Sequence, residues 1–149
     1  MLDFILDEDL ETDAVEELEA LRLLMEAMLK AACPPGETEY ECSLRVVSDA
    51  TIQELNRTYR GKDSPTDVLA FSQQEGEGVS PKGLLGDIVI SLETARRQAN
   101  KSLGDELEML GAHGLCHLLG YDHQTDEEEE AMNTRMTVLR NQANRMLVS

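Results

Sequence analysis

All three histidines of this 149-residue chain fall between positions 113 and 123, in Gly111-Ala-His-Gly-Leu-Cys-His-Leu-Leu-Gly-Tyr-Asp-His123. Residues four apart on a helix lie one turn above the other on the same face. His113 and His117 can therefore aim two imidazoles at one point. Leu115, Leu118 and Leu119 suit the buried part of such a helix, and Gly120 is a natural left-handed stop after it. Tyr121-Asp122 then forms a short turn able to swing His123 back toward the first two. The fold must bury a helix here and reverse the chain directly after it. Three neutral imidazoles converging on one ion, with a fourth position left for water, match catalytic rather than structural zinc. His113, His117 and His123 are thus the expected ligands of one Zn2+, with another transition metal such as Ni2+ as the substitute.

Helical zinc proteases use His-Glu-x-x-His, in which the glutamate is the general base. Here the residue after His113 is Gly114, so a protease mechanism of that type lacks its base. Cys116 lies between the two helical ligands, about 60° around the helix from His113 and about 100° from His117. It points away from their shared direction and is expected in the core.

At this length the chain is expected to be one domain, residues 1–149, able to bury roughly two-thirds of its unfolded surface. There is no tryptophan and aromatics are 3% of residues, so Leu, Val, Ile, Met and Ala must make the core. No apolar run approaches the roughly 20 residues of a membrane span. The N-terminus is acidic and has no basic segment of the kind that opens a signal peptide. Three cysteines, Cys33, Cys42 and Cys116, lack zinc-knuckle spacing and fit reduced thiols. A cytoplasmic protein with no membrane partner is expected.

The net charge of −17 argues against broad nucleic-acid binding, because affinity for phosphate backbones comes mostly from Lys and Arg. The charges are uneven, however. The first 21 residues hold no Lys or Arg, while Arg45, Arg57, Arg60 and Lys62 crowd the middle. Any RNA contact should be small and focused, and DNA is not an expected partner.

Leu2, Phe4 and Leu6 alternate as a short edge strand should. A helix is expected from Thr12 or Asp13, with Asp13 and Glu16 as a capping box and Pro34-Pro35-Gly36 as its end. Residues 40–48 alternate as a half-buried strand with Cys42, Leu44 and Val46 on one face. Asp49 can cap a second helix that carries Ile52, Leu55 and Tyr59. Residues 61–65 read as a loop, and Val68 to Phe71 as a strand. Residues 73–83 form a connection between two antiparallel strands, the second being Leu84 to Ser91. Ser91 opens a helix to about Asn100, whose Arg96, Arg97 and Lys101 suit a solvent face. Gly104-Asp105 starts the histidine helix. Thr125 and Glu128 cap the last helix, to about Leu147, in which acid comes first and base last, as the helix dipole favours. The result is an α+β fold: a small mixed sheet of about four strands covered by about five helices.

Three stretches carry a likeness to a known family. His113-Gly-x-x-His-Leu-x-Gly-Tyr-Asp-His123, Tyr59-Arg-Gly-Lys-Asp-x-Pro-Thr-Asp-Val-Leu69 and Leu85-Gly-Asp-Ile88 resemble signatures of the YbeY family, bacterial metal-dependent endoribonucleases implicated in ribosomal RNA maturation. The chain departs from the pattern at Ala70, where the family usually has Ser, and at Cys116, where a small or aliphatic residue is commoner.

The resemblance implies a zinc-dependent single-strand endoribonuclease acting on ribosomal RNA, at the 3′ end of the small-subunit rRNA, and in ribosome quality control. It places the family's important arginine at Arg60. A planar guanidinium there would meet charge developing on phosphorus, a task lysine performs less well. Asp122 or a backbone carbonyl is expected to orient one imidazole. Asp67, Asp87 and Asp122 are the candidates for general base. A ribosomal protein or assembly factor is the expected protein partner, on which the acidic surface could dock. Two other classes are a zinc hydrolase of peptides or esters, and a non-catalytic ribosome-assembly factor with a structural metal.

Overall fold

The computed structural model of the protein describes residues 1–8, 10, 12–73 and 83–148. Its elements run β1 (Leu2–Leu6), α1 (Val15–Ala32), β2 (Glu41–Val47), α2 (Asp49–Arg60), β3 (Val68–Ser72), β4 (Leu84–Ser91), α3 (Leu92–Gln98), α4 (Leu103–Leu118) and α5 (Asp126–Val148). This is the expected α+β order. The four strands form one sheet in the order β1-β2-β4-β3. β1 and β4 each pair parallel with β2, and β3 pairs antiparallel with β4, so the sheet is mixed. The connection expected to join β3 and β4 falls mostly on residues 74–82, which lie outside the described residues.

The register assigns every side chain to one of two faces, since neighbours along a strand point oppositely. Cys42, Leu44 and Val46 of β2 lie beside Ile88 and Ile90 of β4, with Val68 and Ala70 of β3 on the same side. That face carries the main core, closed by α1, α4 and α5 through Leu21, Leu24, Met25, Met28, Leu110, Leu115 and Leu139. The opposite face holds a smaller cluster, Val47, Leu69 and Val89, covered by Ile52 of α2 with Leu55 and Phe71 beside it. α4 reaches across β4 to β3, which is an edge strand. α2 therefore lies on one face of the sheet and α4 on the other. No helix among the described residues is long and apolar enough to cross a membrane.

Helix ends differ from the sequence expectation by short-range chemistry. α1 begins after Ala14 with no side-chain cap, and the Thr12 hydroxyl accepts from the Ala14 N–H instead, so the expected Asp13/Glu16 capping box is not formed. Asp13 pairs with Arg96 at 2.9 Å. Ser48, not Asp49, caps α2 by accepting from the Thr51 N–H. Asp49 is thereby released to accept from the Ser91 and Thr94 hydroxyls, both at 2.6 Å, and to pair with Arg97 at 2.7 Å. α3 stops at Gln98, and α4 opens at Leu103, one residue before the expected Gly104-Asp105, because the Ser102 hydroxyl accepts from the Asp105 N–H. Thr125 caps α5 as expected, accepting from the Glu128 N–H at 3.1 Å. Arg140 of α5 spans to Asp105 and Glu108 of α4, so one of its bases ties two helices together rather than only complementing a dipole.

Candidate metal centre

α4 places the site because its two faces have different neighbours. Leu107, Leu110, Leu115, Cys116 and Leu118 are buried in the main core, whereas His113 and His117 are half-buried at its margin. Close approach of helix to sheet is set by Gly114: a Cβ added there would lie 2.7 Å from Ile88 Cγ2, on the central strand β4. Any larger side chain would push α4 off the sheet. The missing protease glutamate is thus excluded by packing, since that position faces Ile88 and not the histidines' cleft.

Directly after α4, the Gly120 N–H donates to the His117 carbonyl and the Tyr121 N–H to the Cys116 carbonyl, both at 3.0 Å. Gly120 itself has φ +102°, a conformation that L side chains rarely adopt. Asp122 Oδ1 then accepts from the His123 N–H at 2.8 Å and fixes the returning turn. The outcome is convergence. Ring centroids are 4.7 Å apart for His113–His117, 5.2 Å for His117–His123 and 5.6 Å for His113–His123. One nitrogen from each of the three rings lies within 4.8 Å of the others, so the group could hold a metal ion.

The donor set fits such an ion. His113 Nε2 and His117 Nε2 face one another at 3.1 Å. Nitrogens bound tetrahedrally at 2.0–2.1 Å would be separated by roughly 3.3 Å. Burial, and then the neighbouring His117 and His123, lowers the pKa of His113, opposed by the negative charge of Asp67. Burial and His123 also lower that of His117, opposed by Asp122 and a hydrogen bond with the Tyr121 backbone. Both shifts favour the neutral ring, whose lone pair is what a cation binds. Cys116 is fully buried and stays in the core, and burial pushes its thiol up to about 11.

Arg60 ends α2 on the other side of β3. One guanidinium nitrogen donates to the Ala70 carbonyl at 2.6 Å, and Arg60 Cζ stands 5.3 Å from the centre of the Phe71 ring. Ala70 itself packs on the core beneath α4, so a single β3 residue touches both halves of the site. The Arg60 charge reaches His117 and disfavours its protonation. Gly61, at φ +70°, turns the chain out of α2, and the Asn56 side chain holds the following loop through the Ser64 carbonyl at 2.9 Å.

The three candidate bases are placed differently. Asp67 Oδ1 accepts from the Val68 N–H at 2.7 Å and Oδ2 from Gln98 Nε2 at 3.0 Å, so both oxygens serve the start of β3. Asp87 accepts from the Ser43 hydroxyl at 2.5 Å and lies in register with Ser43 and Phe71, on the sheet face away from α4. Asp122 stands within the histidine turn and its charge acts on His117. Sequence reasoning gave no role to Phe71 or Gln98. Both act through neighbours that only the sheet edge brings together, and neither sits in a chemically distinctive spacing.

Residues 6–144 match the family model described as "Endoribonuclease YbeY". A Bacillus subtilis protein named endoribonuclease YbeY is 43% identical over 140 residues, covering 87% of this chain and 88% of its own. One from Geobacillus kaustophilus with the same name is 46% identical over 142 residues, covering 88% of each. Among solved structures, the solution structure of a Thermotoga maritima protein superposes with a TM-score of 0.62 at 28% identity, over 96% of this chain and 89% of that one.

Proposed function

The chain belongs to the YbeY family of endoribonucleases, and from that premise we propose that it cleaves single-stranded ribosomal RNA with a zinc ion held by His113, His117 and His123. It is a hydrolase whose substrate is RNA. The observation that carries the finer reading is the convergence of three half-buried or exposed imidazoles, one nitrogen of each within 4.8 Å, beside an arginine braced on the adjoining strand.

His113, His117 and His123 would hold a divalent ion, which would supply Lewis acidity and a water of lowered pKa. The remaining work falls to the chain itself. Arg60 presents a planar fork to a phosphate oxygen, and its bond to the Ala70 carbonyl fixes the plane before substrate arrives. Positive charge held ready where negative charge develops on phosphorus need not reorganise during the reaction. A hydrogen bond with the Tyr121 backbone holds the His117 ring in one orientation, and the Asp122 charge acts on it from nearby. Gly114 leaves no carboxylate in the protease position, which fits a substrate other than a peptide.

The proposed substrate is the 3′ end of the small-subunit ribosomal RNA, during maturation and in ribosome quality control, in the cytoplasm. The body's net charge of −17 suits a basic ribosomal protein or assembly factor as partner, with Arg57, Arg60 and Lys62 left to meet the RNA. The test is cleavage of a small-subunit rRNA 3′ fragment by metal-loaded protein, with metal content measured in parallel. His117→Ala should lose both metal and cleavage. Arg60→Ala should keep the metal and lose cleavage. Native-rate cleavage by metal-free protein would overturn the zinc assignment.

A further inference from the structure

We propose that Tyr59 is a base-stacking platform, so that the site reads one unpaired nucleobase next to the phosphodiester that Arg60 holds. The inference rests on the RNA-cleaving reading given above and adds to it a binding residue that would account for the preference for unpaired RNA.

The chain has three tyrosines, two phenylalanines and no tryptophan. Almost all of these rings are at least partly covered, yet Tyr59 is 66% exposed, on the last turn of α2. Its ring is nevertheless held in place. It meets Phe71 edge to face, with centroids 5.4 Å apart and planes at 63°. Phe71 also receives the Arg60 guanidinium over its ring at 5.3 Å. One partly buried phenylalanine therefore braces two adjacent, outward-facing groups of different chemistry: a planar cation and a planar aromatic ring.

That pairing matches a nucleotide. A guanidinium fork binds the phosphate, and an aromatic face one residue away takes the base. Arg57, in the same last turn of α2, and Lys62, just after it, are also exposed and add to a cationic strip along which a backbone could run. The strip is anchored to the histidine cleft, because Arg60 bonds to the Ala70 carbonyl of β3 and Ala70 packs beneath α4. An acidic protein that must bind RNA gains most from contacts of this kind, which do not depend on net charge. Stacking tolerates any base but requires that it be unpaired, so a duplex could not use the platform.

The experiment uses full-length protein and a single-stranded RNA oligonucleotide protected by 2′-O-methyl groups, with anisotropy reporting binding. Cleavage kinetics are followed on its unprotected counterpart. Tyr59→Ala should weaken binding and raise KM by roughly tenfold, as loss of one stacked base does elsewhere, with a smaller change in kcat. Tyr59→Phe should restore both. Tyr59→Leu, which still covers Phe71 but offers no π face, should not. An abasic substitution in the oligonucleotide should weaken binding to the native protein but add little to Tyr59→Ala. Equal affinity of Tyr59→Ala and native protein, or full rescue by Tyr59→Leu, would overturn the platform while leaving the nuclease reading intact. Tyr59-dependent binding without cleavage would overturn the nuclease reading and leave the platform standing. A native protein that binds no single-stranded RNA overturns both.

Discussion

Gly114 of α4 rests against Ile88 of β4 so closely that a Cβ at Gly114 would fall 2.7 Å from Ile88 Cγ2. Ile88 is fully buried on a central strand and cannot give way without disturbing its own neighbours. Gly114→Ala should therefore cost about 1–3 kcal/mol, the usual range for overpacking. Urea denaturation would measure it. Any gain in stability from better helix propensity should be smaller, at most about 1 kcal/mol. Gly114→Glu should be more damaging still and should not confer peptide hydrolysis, because the side chain would face the sheet.

Arg60→Lys should behave much more like Arg60→Ala than like the native protein. A lysine keeps the charge but cannot donate to the Ala70 carbonyl and a phosphate through one rigid plane. Loss of a positioned donor to developing charge typically lowers kcat by about 10²–10³. The expected pattern is reduced kcat, unchanged metal content and an unchanged melting temperature. A native-like kcat for Arg60→Lys would mean that only charge is needed.

Removing the metal should act on the histidine turn before the core. Three imidazoles bound to one cation would tie His123, which is exposed, to a buried helix. Chelation should abolish cleavage and increase amide exchange around residues 119–124, and added zinc should reverse both. Exchange in β2 and β4 should stay slow throughout. Hydrogen exchange with and without chelator would show it.

Asp49 offers an acid-dependent contribution to stability. Burial alone would raise its pKa, but hydrogen bonds from Ser91, Thr94 and Arg97 outweigh that and hold it below the ordinary carboxylate value. A carboxyl with a depressed folded-state pKa stabilises the protein above its unfolded value, near 3.9, and the benefit is lost as pH falls through the folded value. Asp49→Asn should therefore cost about 1–3 kcal/mol at pH 7, in line with hydrogen bonds to a charged group. The gap between the two proteins should shrink steadily below about pH 4. A gap independent of pH would show that the charge is not involved.

The cysteines should differ in reactivity. Burial pushes the Cys42 thiol up to about 12, and Cys116 is fully enclosed, whereas Cys33 is partly exposed. Because the thiolate is the attacking species, a thiol-specific reagent near pH 8 should label Cys33 alone in the folded protein. All three should react in denaturant. Mass spectrometry of the labelled peptides reads the outcome directly.

Much of this was written locally. The order of elements followed from apolar periodicity and from turn residues such as Pro35-Gly36 and Gly61. The convergence of His113 and His117 needs only one helical turn, and His123 needs only the reversal at Gly120. Those features depend on neighbours within about a dozen positions, which is why spacing reveals them. Cap choices were less legible, because Asp13 and Asp49 compete with the hydroxyls of Thr12 and Ser48 beside them for nearby N–H groups. Long-range partners decided the outcome, as the Asp49 cluster with Ser91, Thr94 and Arg97 shows.

What the chain alone determined, then, is which residues can share a cation and that they end a buried helix. Only tertiary structure decided what stands beside them. Placing Arg60 and Phe71 at the same edge as α4 requires β3 to pair antiparallel on β4, with helices on opposite faces of the sheet. Likewise, nothing in the order of residues reveals that Gly114 is pressed on Ile88. Pairing and packing join groups dozens of residues apart, and their energies depend on shapes that no local spacing encodes.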